Sequence, residues 1–548
     1  MTNCIFGFII SFAKNKRRFT ILKKYDYIDY LSGSLPCILI CALCGCVTGA
    51  VIFLFRYASR YIEDVSQYLY SVSKSSALRV IAVFAVAVLL ALTMAYLHKK
   101  LPEVKGGGIP RSEGIMRGLL PFRALSTLIG TVIGSFISFF CGVPVGSEGP
   151  AVLIGTCLGG ICTKKTKNRL AIDRYVMSGG AGAGFAVATG APLSAMLFTL
   201  EEIHRRFTPM LVMAVSASIV CSTVVNRALC TLAGISPSLF GFSIKSDFEL
   251  SHVGYLILGG IIIAVAVGIF DKSLALFKRF SRFASGVVSP TAKLIIIFVI
   301  VAAMGLFFNE GIYSGHHIIE EIIHEDKTLL FLLAIFALRL AMMLLVTDCG
   351  ATGGIFIPTL AIGVLAGAVA TELMIYLGFP SEYASATILL GMCAFLGGTL
   401  RAPFTACVLF AELTGSFTDF FYVSIAVFTV NIITEILAQE SFYDTVLEHT
   451  VRKQNRNLCF ETEYYTMTVS RKSFVCGKTV RDVMWPYFCV VLSVEHKTDY
   501  RDACFNDGEK RLHEGDIIKV RVRYTDKKAV LDRLSALVGN SDFIREEQ

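Results

Sequence analysis

The sequence predicts an all-α polytopic membrane protein of two similar halves, followed by a small α+β module. Composition is the first reason. Of 548 residues, 54% are hydrophobic and 17% charged, with a mean hydropathy of +0.65, which excludes an ordinary soluble enzyme of several domains. Charge distribution is the second: 18 Lys+Arg and 15 Asp+Glu fall after position 450, so the last fifth is polar enough to be soluble and the rest is not. The third is a set of Gly- and Pro-interrupted apolar segments that recurs at nearly one offset in the two halves.

Residues 1–30 come first, as a basic segment. A short apolar stretch, Cys4 to Ala13, precedes Lys14, Lys16, Arg17, Arg18, Lys23 and Lys24. A secretory signal has the opposite order, so no cleavage is expected. The positive-inside bias puts this segment in the cytoplasm, together with the loop carrying Lys164, Lys165, Lys167 and Arg169. The net charge of +9 therefore reads as topology, with no nucleic-acid partner. The 17 cysteines mostly sit in apolar runs such as Cys37, Cys41, Cys44 and Cys46. They lack framework or zinc-site spacing and read as reduced packing residues, with no metal.

Residues 31–455 form the transmembrane part. Apolar stretches begin near Leu35, Ala77, Ala124, Tyr175, Met210, Val253, Leu294, Leu329, Phe356, Ala384, Ala402 and Phe420. About 20 residues of helix cross a bilayer, so a dozen or more membrane helices are expected. Several are too short or interrupted to cross alone: Gly106 to Arg117, Gly149 to Thr163, Pro192 to Glu202, Pro358 to Ala370 and Pro403 to Leu413. Broken helices usually line a cavity, because their free backbone ends need partners.

Pro150 opens P-x-x-x-I-G-x-x-x-G through Ile154, Gly155 and Gly159, and Pro358 opens the same pattern through Ile362, Gly363 and Gly367, 208 positions later. Ala191-Pro192, Ala195 and Glu201 reappear as Ala402-Pro403, Ala406 and Glu412, 211 positions later. Small residues and prolines also recur by chance in membrane helices. Two matches at nearly one offset favour duplicated halves with a transport site between them.

Three motifs carry chemistry: Gly106-Gly107-Gly108-Ile109-Pro110, Gly146-Ser147-Glu148-Gly149-Pro150 and Gly353-Gly354-Ile355-Phe356-Ile357-Pro358. In each, glycines allow a sharp turn and a proline opens a helix, so backbone N–H groups and the positive helix end face one spot. Such ends bind anions. Each contributes about 0.3 to 1 kcal/mol, weak enough for release, whereas a buried fixed cation would hold the ion too tightly for turnover. Any one motif also reads as a Gly-rich packing loop; three together favour an anion site. Glu148 stands in this apolar context at a cost of about 2.5 kcal/mol or more at a bilayer centre, which marks it as functional. Glu201 and Glu202, just before His204-Arg205-Arg206, read on residue type alone as partners of those arginines at a solvated helix end. Tyr443 by itself reads as a packing aromatic.

The three motifs are similar to the anion-site signatures of the CLC family of chloride channels and chloride/proton exchangers: glycine-x-glycine-isoleucine-proline, glycine-x-glutamate-glycine-proline and glycine-x-phenylalanine-x-proline. The resemblance covers about residues 30–455. It implies two inverted halves and a homodimer in the cell membrane, each subunit with its own anion pathway. It implies that Glu148 is the gating glutamate and Glu202 the internal proton-transfer glutamate of the exchangers, a position that channel members commonly fill with an apolar residue. The anion-binding set carried over comprises Gly107, Ile109, Gly146, Ser147, Gly149, Ile355, Phe356 and Tyr443. One departure stands out: chloride-selective members usually have serine where this chain has Gly107, which puts selectivity among chloride, nitrate and fluoride in doubt.

The tail reads as a soluble, cytoplasmic α+β module over residues 470–540. Phe488 to Val494 suits a buried strand, Ile517 to Tyr524 a half-exposed one, and Asp526 to Leu537 an amphipathic helix with Val530, Leu531, Leu534 and Leu537 on one face. Gly477-Lys478-Thr479-Val480 and Leu512-His513-Glu514-Gly515-Asp516 make it similar to TrkA-C modules, which implies a dimeric regulator with a small-molecule ligand. A passive dimer-stabilising tail is the alternative. The expected function is proton-coupled chloride exchange across the bilayer, without enzymatic activity or cofactor. A passive gated chloride channel of the same fold, altered nitrate or fluoride selectivity, and a cation transporter are the competing readings.

Overall fold

The computed structural model describes residues 2–548 except 167–168, 241, 243, 245–247, 285–287, 326, 455–460, 472, 496–503, 506–507, 510, 525, 541 and 547–548, with backbone alone for 2–33, 284, 309, 453–454, 504–505 and 546. The side chains of the N-terminal basic cluster, and Lys167, therefore lie outside the described residues.

The first half comprises α1 (Thr2–Ser73), α2 (Ala77–Lys100), α3 (Gly108–Met116), α4 (Ala124–Cys141), α5 (Glu148–Cys162), α6 (Arg169–Thr189), α7 (Pro192–Phe198) and α8 (Pro209–Ala233). The second comprises α9 (Val253–Ala284), α10 (Pro290–Phe307), α11 (His316–His324), α12 (Leu329–Cys349), α13 (Phe356–Tyr376), α14 (Ala384–Leu400), α15 (Pro403–Thr414), α16 (Phe420–Ile436) and α17 (Phe442–Gln454). Among the described residues nine helices are long and apolar enough to cross a membrane, and α5, α15 and α16 are shorter apolar helices. Proline in the first turn starts α7, α8, α10 and α15, where its missing N–H leaves no bond unmade. The expected short helix from Pro358 is longer than the sequence suggested: α13 runs to Tyr376, because nothing breaks it before Gly378, whose φ is +99°.

α5, α6, α13 and α14 are buried nearly throughout, while α2 turns most of its residues outward, Leu78, Ile81 and Leu89 among them. Such a helix suits lipid contact. The inner helices pack backbone to backbone. A Cβ added at Gly155 would stand 2.0 Å from the Gly180 carbonyl oxygen, and one at Gly367 would stand 2.5 Å from that of Ile388. The repeated Ile-Gly-x-x-x-Gly pattern thus has the same packing task in both halves.

Two contacts show the halves related by a two-fold rotation. Gly146 and Gly354, 208 positions apart, donate to each other's carbonyls at 2.7 Å as an antiparallel bridge. Glu201 caps α15, accepting from Phe404 N at 3.1 Å and Thr405 N at 2.8 Å, while Glu412 caps α7, accepting from Leu193 N and Ser194 N at 2.8 Å. Each carboxylate sits at its partner helix's positive end, which stabilises both.

The tail is one antiparallel sheet, β1 (Glu461–Thr468), β2 (Cys489–Glu495), β3 (Cys504–Phe505), β4 (Ile517–Tyr524) and β5 (Ile544–Glu546), in the order β3-β2-β4-β1-β5, with α18 (Lys527–Val538) as expected. It extends beyond 470–540 on both sides, because β1 and β5 join the sheet; with only Tyr465 and Met467 buried, β1 was a weak pattern. β2 buries only Ser493 and Val494, since the two-residue β3 beside it leaves it near an edge. The module docks on the start of α6. Arg533 holds both Asp173 carboxylate oxygens at 3.1 Å, Arg174 donates to the Trp485 carbonyl at 2.9 Å, and the Tyr175 hydroxyl donates to the Asp482 carbonyl at 2.8 Å.

Candidate functional site

The Gly146–Gly354 bridge brings two of the three motifs together, and Gly108 brings the third. A Cβ added at Gly149 would lie 2.6 Å from Gly354 Cα and 3.3 Å from Gly108 N, and one at Gly108 would lie 2.0 Å from the Gly149 carbonyl oxygen. The starts of α3, α5 and α13 therefore meet within van der Waals contact, as only glycine permits. Gly107 precedes α3 and Ile355 precedes α13; Ile109, Gly146, Gly149 and Phe356 are buried around the junction. At Gly107 there is room: an added Cβ would meet nothing nearer than 3.7 Å.

Glu148 opens α5 and is 1% exposed. Its Oε1 accepts from the Ser147 hydroxyl at 3.0 Å, whereas Oε2 has no hydrogen-bond partner among the described residues. The buried Tyr443 hydroxyl has none either. A buried hydroxyl without a partner costs about 1 to 3 kcal/mol, a cost relieved by an anion accepting from it. The Tyr443 ring stands 6.4 Å from that of Phe198, which also meets Phe356.

Glu202 lies in a π-helical turn, Thr199–His204, that prolongs α7, a local irregularity of the kind found at functional sites. Buried, it accepts from the Ser441 hydroxyl at 2.7 Å. The pairing of Glu201 and Glu202 with the neighbouring arginines does not occur. Glu201 caps α15, Glu202 takes Ser441, and Arg205 pairs with Asp444. Ser441, Glu201, Arg205 and Asp444 line an open vestibule of about 920 Å³, together with Tyr487 and Phe488 of the tail. Residues that the sequence did not single out are Ser441 and Glu113; the latter is buried in α3, 2.5 Å from Arg117 Nη2, and acts electrostatically on Glu202. Glu113, three residues after Pro110 in the helix that the first glycine motif opens, was the available signal; Ser441 offered none.

A cradle of converging helix starts with a carboxylate inside it defines a membrane ion transporter whose ion is negative. A family model described as "Voltage gated chloride channel" matches residues 88–435, and the chain belongs to that family. The chain is 31% identical over 432 residues, 77% of this chain and 90% of the relative, to the H(+)/Cl(-) exchange transporter ClcA of Salmonella paratyphi B (strain ATCC BAA-1250 / SPB7). Two solved structures share the fold. A slow cyanobacterial Cl-/H+ antiporter superposes with a TM-score of 0.70 at 24% identity, over 77% of this chain and 99% of that one. A CLC-type fluoride/proton antiporter gives 0.60 at 17%, over 73% and 96%.

Proposed function

We propose that this chain exchanges chloride for protons across a membrane, with Glu148 as the group that couples the two ions. The observation that carries this reading is the Gly146–Gly354 bridge, which sets Glu148 among three helix starts. N–H groups around Gly107, Ile109, Gly146, Ser147, Gly149, Ile355 and Phe356, with the Tyr443 hydroxyl, form the anion cradle. Ionised Glu148 competes with the anion for it, and protonated Glu148 leaves it. Each unit of pKa that a bound anion adds to Glu148 is worth about 1.4 kcal/mol of coupling between the two ions.

Glu202 takes the proton on the tail side, behind Ser441 and the vestibule. Both carboxylates act electrostatically on the buried Tyr443, which supports a route joining them. Exposed Lys164 and Lys165 lie in the loop before α6, on the face that carries the tail, which supports a cytoplasmic tail. A second copy of the chain as partner rests on the family resemblance, which implies a homodimer, and the outward apolar residues of α8 and α16, such as Val220, Val224 and Ile432, are available to it or to lipid. The tail's grip on α6, which packs against the Glu148 helix α5, supports a regulatory module, and its resemblance to ligand-sensing modules extends that reading to a small molecule.

The test is chloride-driven proton uptake in proteoliposomes. Wild type is expected to move protons against their gradient, and Glu202→Ala to carry chloride without them. Chloride flux with no proton movement in wild type refutes exchange in favour of a channel.

A further inference from the structure

On the face opposite the tail, α1 carries a polar stripe that the scheme above leaves without a task. Arg56, Ser59, Glu63, Ser66 and Tyr70 recur at steps of three and four, one side of the helix, while Tyr57, Tyr61 and Tyr68 face outward. A charged stripe turned inward in a membrane helix is costly, so it marks a pathway. The stripe is fastened at both ends. Arg56 donates to the carbonyls of Val187 at 2.9 Å, Pro237 at 3.0 Å and Ser236 at 3.1 Å. Ser66 donates to the Phe140 carbonyl at 2.8 Å and shares a hydrogen bond with the Tyr313 hydroxyl at 3.0 Å; Tyr70 donates to the Cys141 carbonyl at 2.7 Å. Phe140 and Cys141 end α4, only a few residues before Gly146. The stripe thus lies along the segment that delivers Glu148 to its place.

Glu63 stands midway. It makes no ion pair among the described residues and is half-buried, whereas its neighbour Asp64 is exposed. The groups that act on it are Arg60 and Asp64 of its own helix, Glu148 on α5, and Tyr313 in the segment leading into α11. Arg56 and Arg60 act electrostatically on His316 of α11, and Glu148 acts on Arg56; α1 packs against both α4 and α5, the helices on either side of the segment that carries Glu148. We propose that Glu63 is the proton port of Glu148 on the face opposite the tail, with Arg56 holding the port in register. The carboxyl of Glu63 gives its proton, directly or through water, to the Glu148 carboxylate and is reprotonated from solution; in the reverse direction it takes the proton from Glu148 and releases it. Buried Glu148, 1% exposed, thereby exchanges protons with that face while the anion cradle stays shut to bulk water. This inference rests on the exchange reading.

The test measures proton-coupled chloride exchange in proteoliposomes as the buffer on the side opposite the tail is diluted. In Glu63→Gln, exchange in dilute buffer falls about tenfold or more, the scale expected when a positioned acid–base group is lost, and recovers as a small weak-acid buffer is raised. Wild type and Asp64→Asn keep their rates at every buffer concentration, and Glu63→Asp, which keeps a carboxyl at the port, restores in dilute buffer most of the rate that Glu63→Gln loses. Glu63→Gln exchanging at the wild-type rate in dilute buffer overturns the port and leaves exchange standing. Wild-type exchange that itself rises with buffer on that side overturns it whatever the variants do. Wild-type chloride flux without protons removes the exchange reading first.

Discussion

Replacing Gly149 by alanine puts a methyl carbon 2.6 Å from Gly354 Cα and 3.3 Å from Gly108 N. Ordinary contact begins at 3.4 Å, so the Gly354 backbone must retreat by about 0.8 Å, and it is tied to Gly146 by two 2.7 Å hydrogen bonds. No flexible side chain absorbs the strain. Overpacking of this kind costs about 1 to 3 kcal/mol. Because the atoms that move are those that aim three helix starts at one point, the cost appears in anion affinity as well as in stability: about 5- to 150-fold weaker chloride binding if all of it is expressed there. Calorimetric titration of the purified protein with chloride reads this directly, with thermal unfolding alongside. Gly254→Ala, whose added methyl meets nothing within 4 Å, is the control and stays near wild type. Gly149→Ala binding chloride at wild-type affinity would refute the convergence of the three motifs on the anion.

Three further outcomes are expected. Gly107→Ser is accommodated without strain and adds one donor to the cradle, shifting chloride over nitrate preference by about 2- to 10-fold in paired flux assays, the range of one net hydrogen bond; an unchanged ratio excludes position 107 from the site. A double-mutant cycle of Asp173→Asn and Arg533→Gln gives a coupling of about 1 to 2 kcal/mol, followed by the fluorescence of Trp485, the one tryptophan of the chain; additive effects mean that the tail is not clamped there. In the tail, the Tyr465 hydroxyl, with Lys527 and Arg545, lowers the Glu463 carboxyl to about 2. A lowered carboxyl contributes stability that is present above its ordinary value of 4.5 and is lost as pH falls toward 2. Glu463→Gln in the full chain is therefore expected to flatten the acid dependence of Trp485 fluorescence across that window; the same acid midpoint as wild type contradicts it.

What was legible in the sequence is what glycine and proline dictate locally. The three helix starts could be read because a sharp turn followed by a proline has one structural meaning wherever it occurs, and their convergence was expected from finding three such starts in one apolar chain; the Gly146–Gly354 bridge that brings two of them together is seen only in the structure. The amphipathic α18 and the alternating β4 were equally plain. What depends on a distant partner was not. Glu201 finds its acceptor role more than 200 positions away, at the start of α15, where no local pattern points. Ser441 becomes a donor to Glu202 only because α17 returns to the π-helical turn. The stripe on α1 was hidden because polar residues fall on both sides of this stretch, and only burial shows that Glu63 turns inward while Asp64 turns out.

The most direct measurement of the central claim is the chloride affinity of wild type and Glu148→Ala at two pH values spanning the titration of the Glu148 carboxyl. Wild type should bind chloride more weakly at the higher pH, where the ionised carboxylate takes the anion's place, and Glu148→Ala should bind equally well at both. A wild-type affinity indifferent to pH, or a pH dependence that survives in Glu148→Ala, would contradict it.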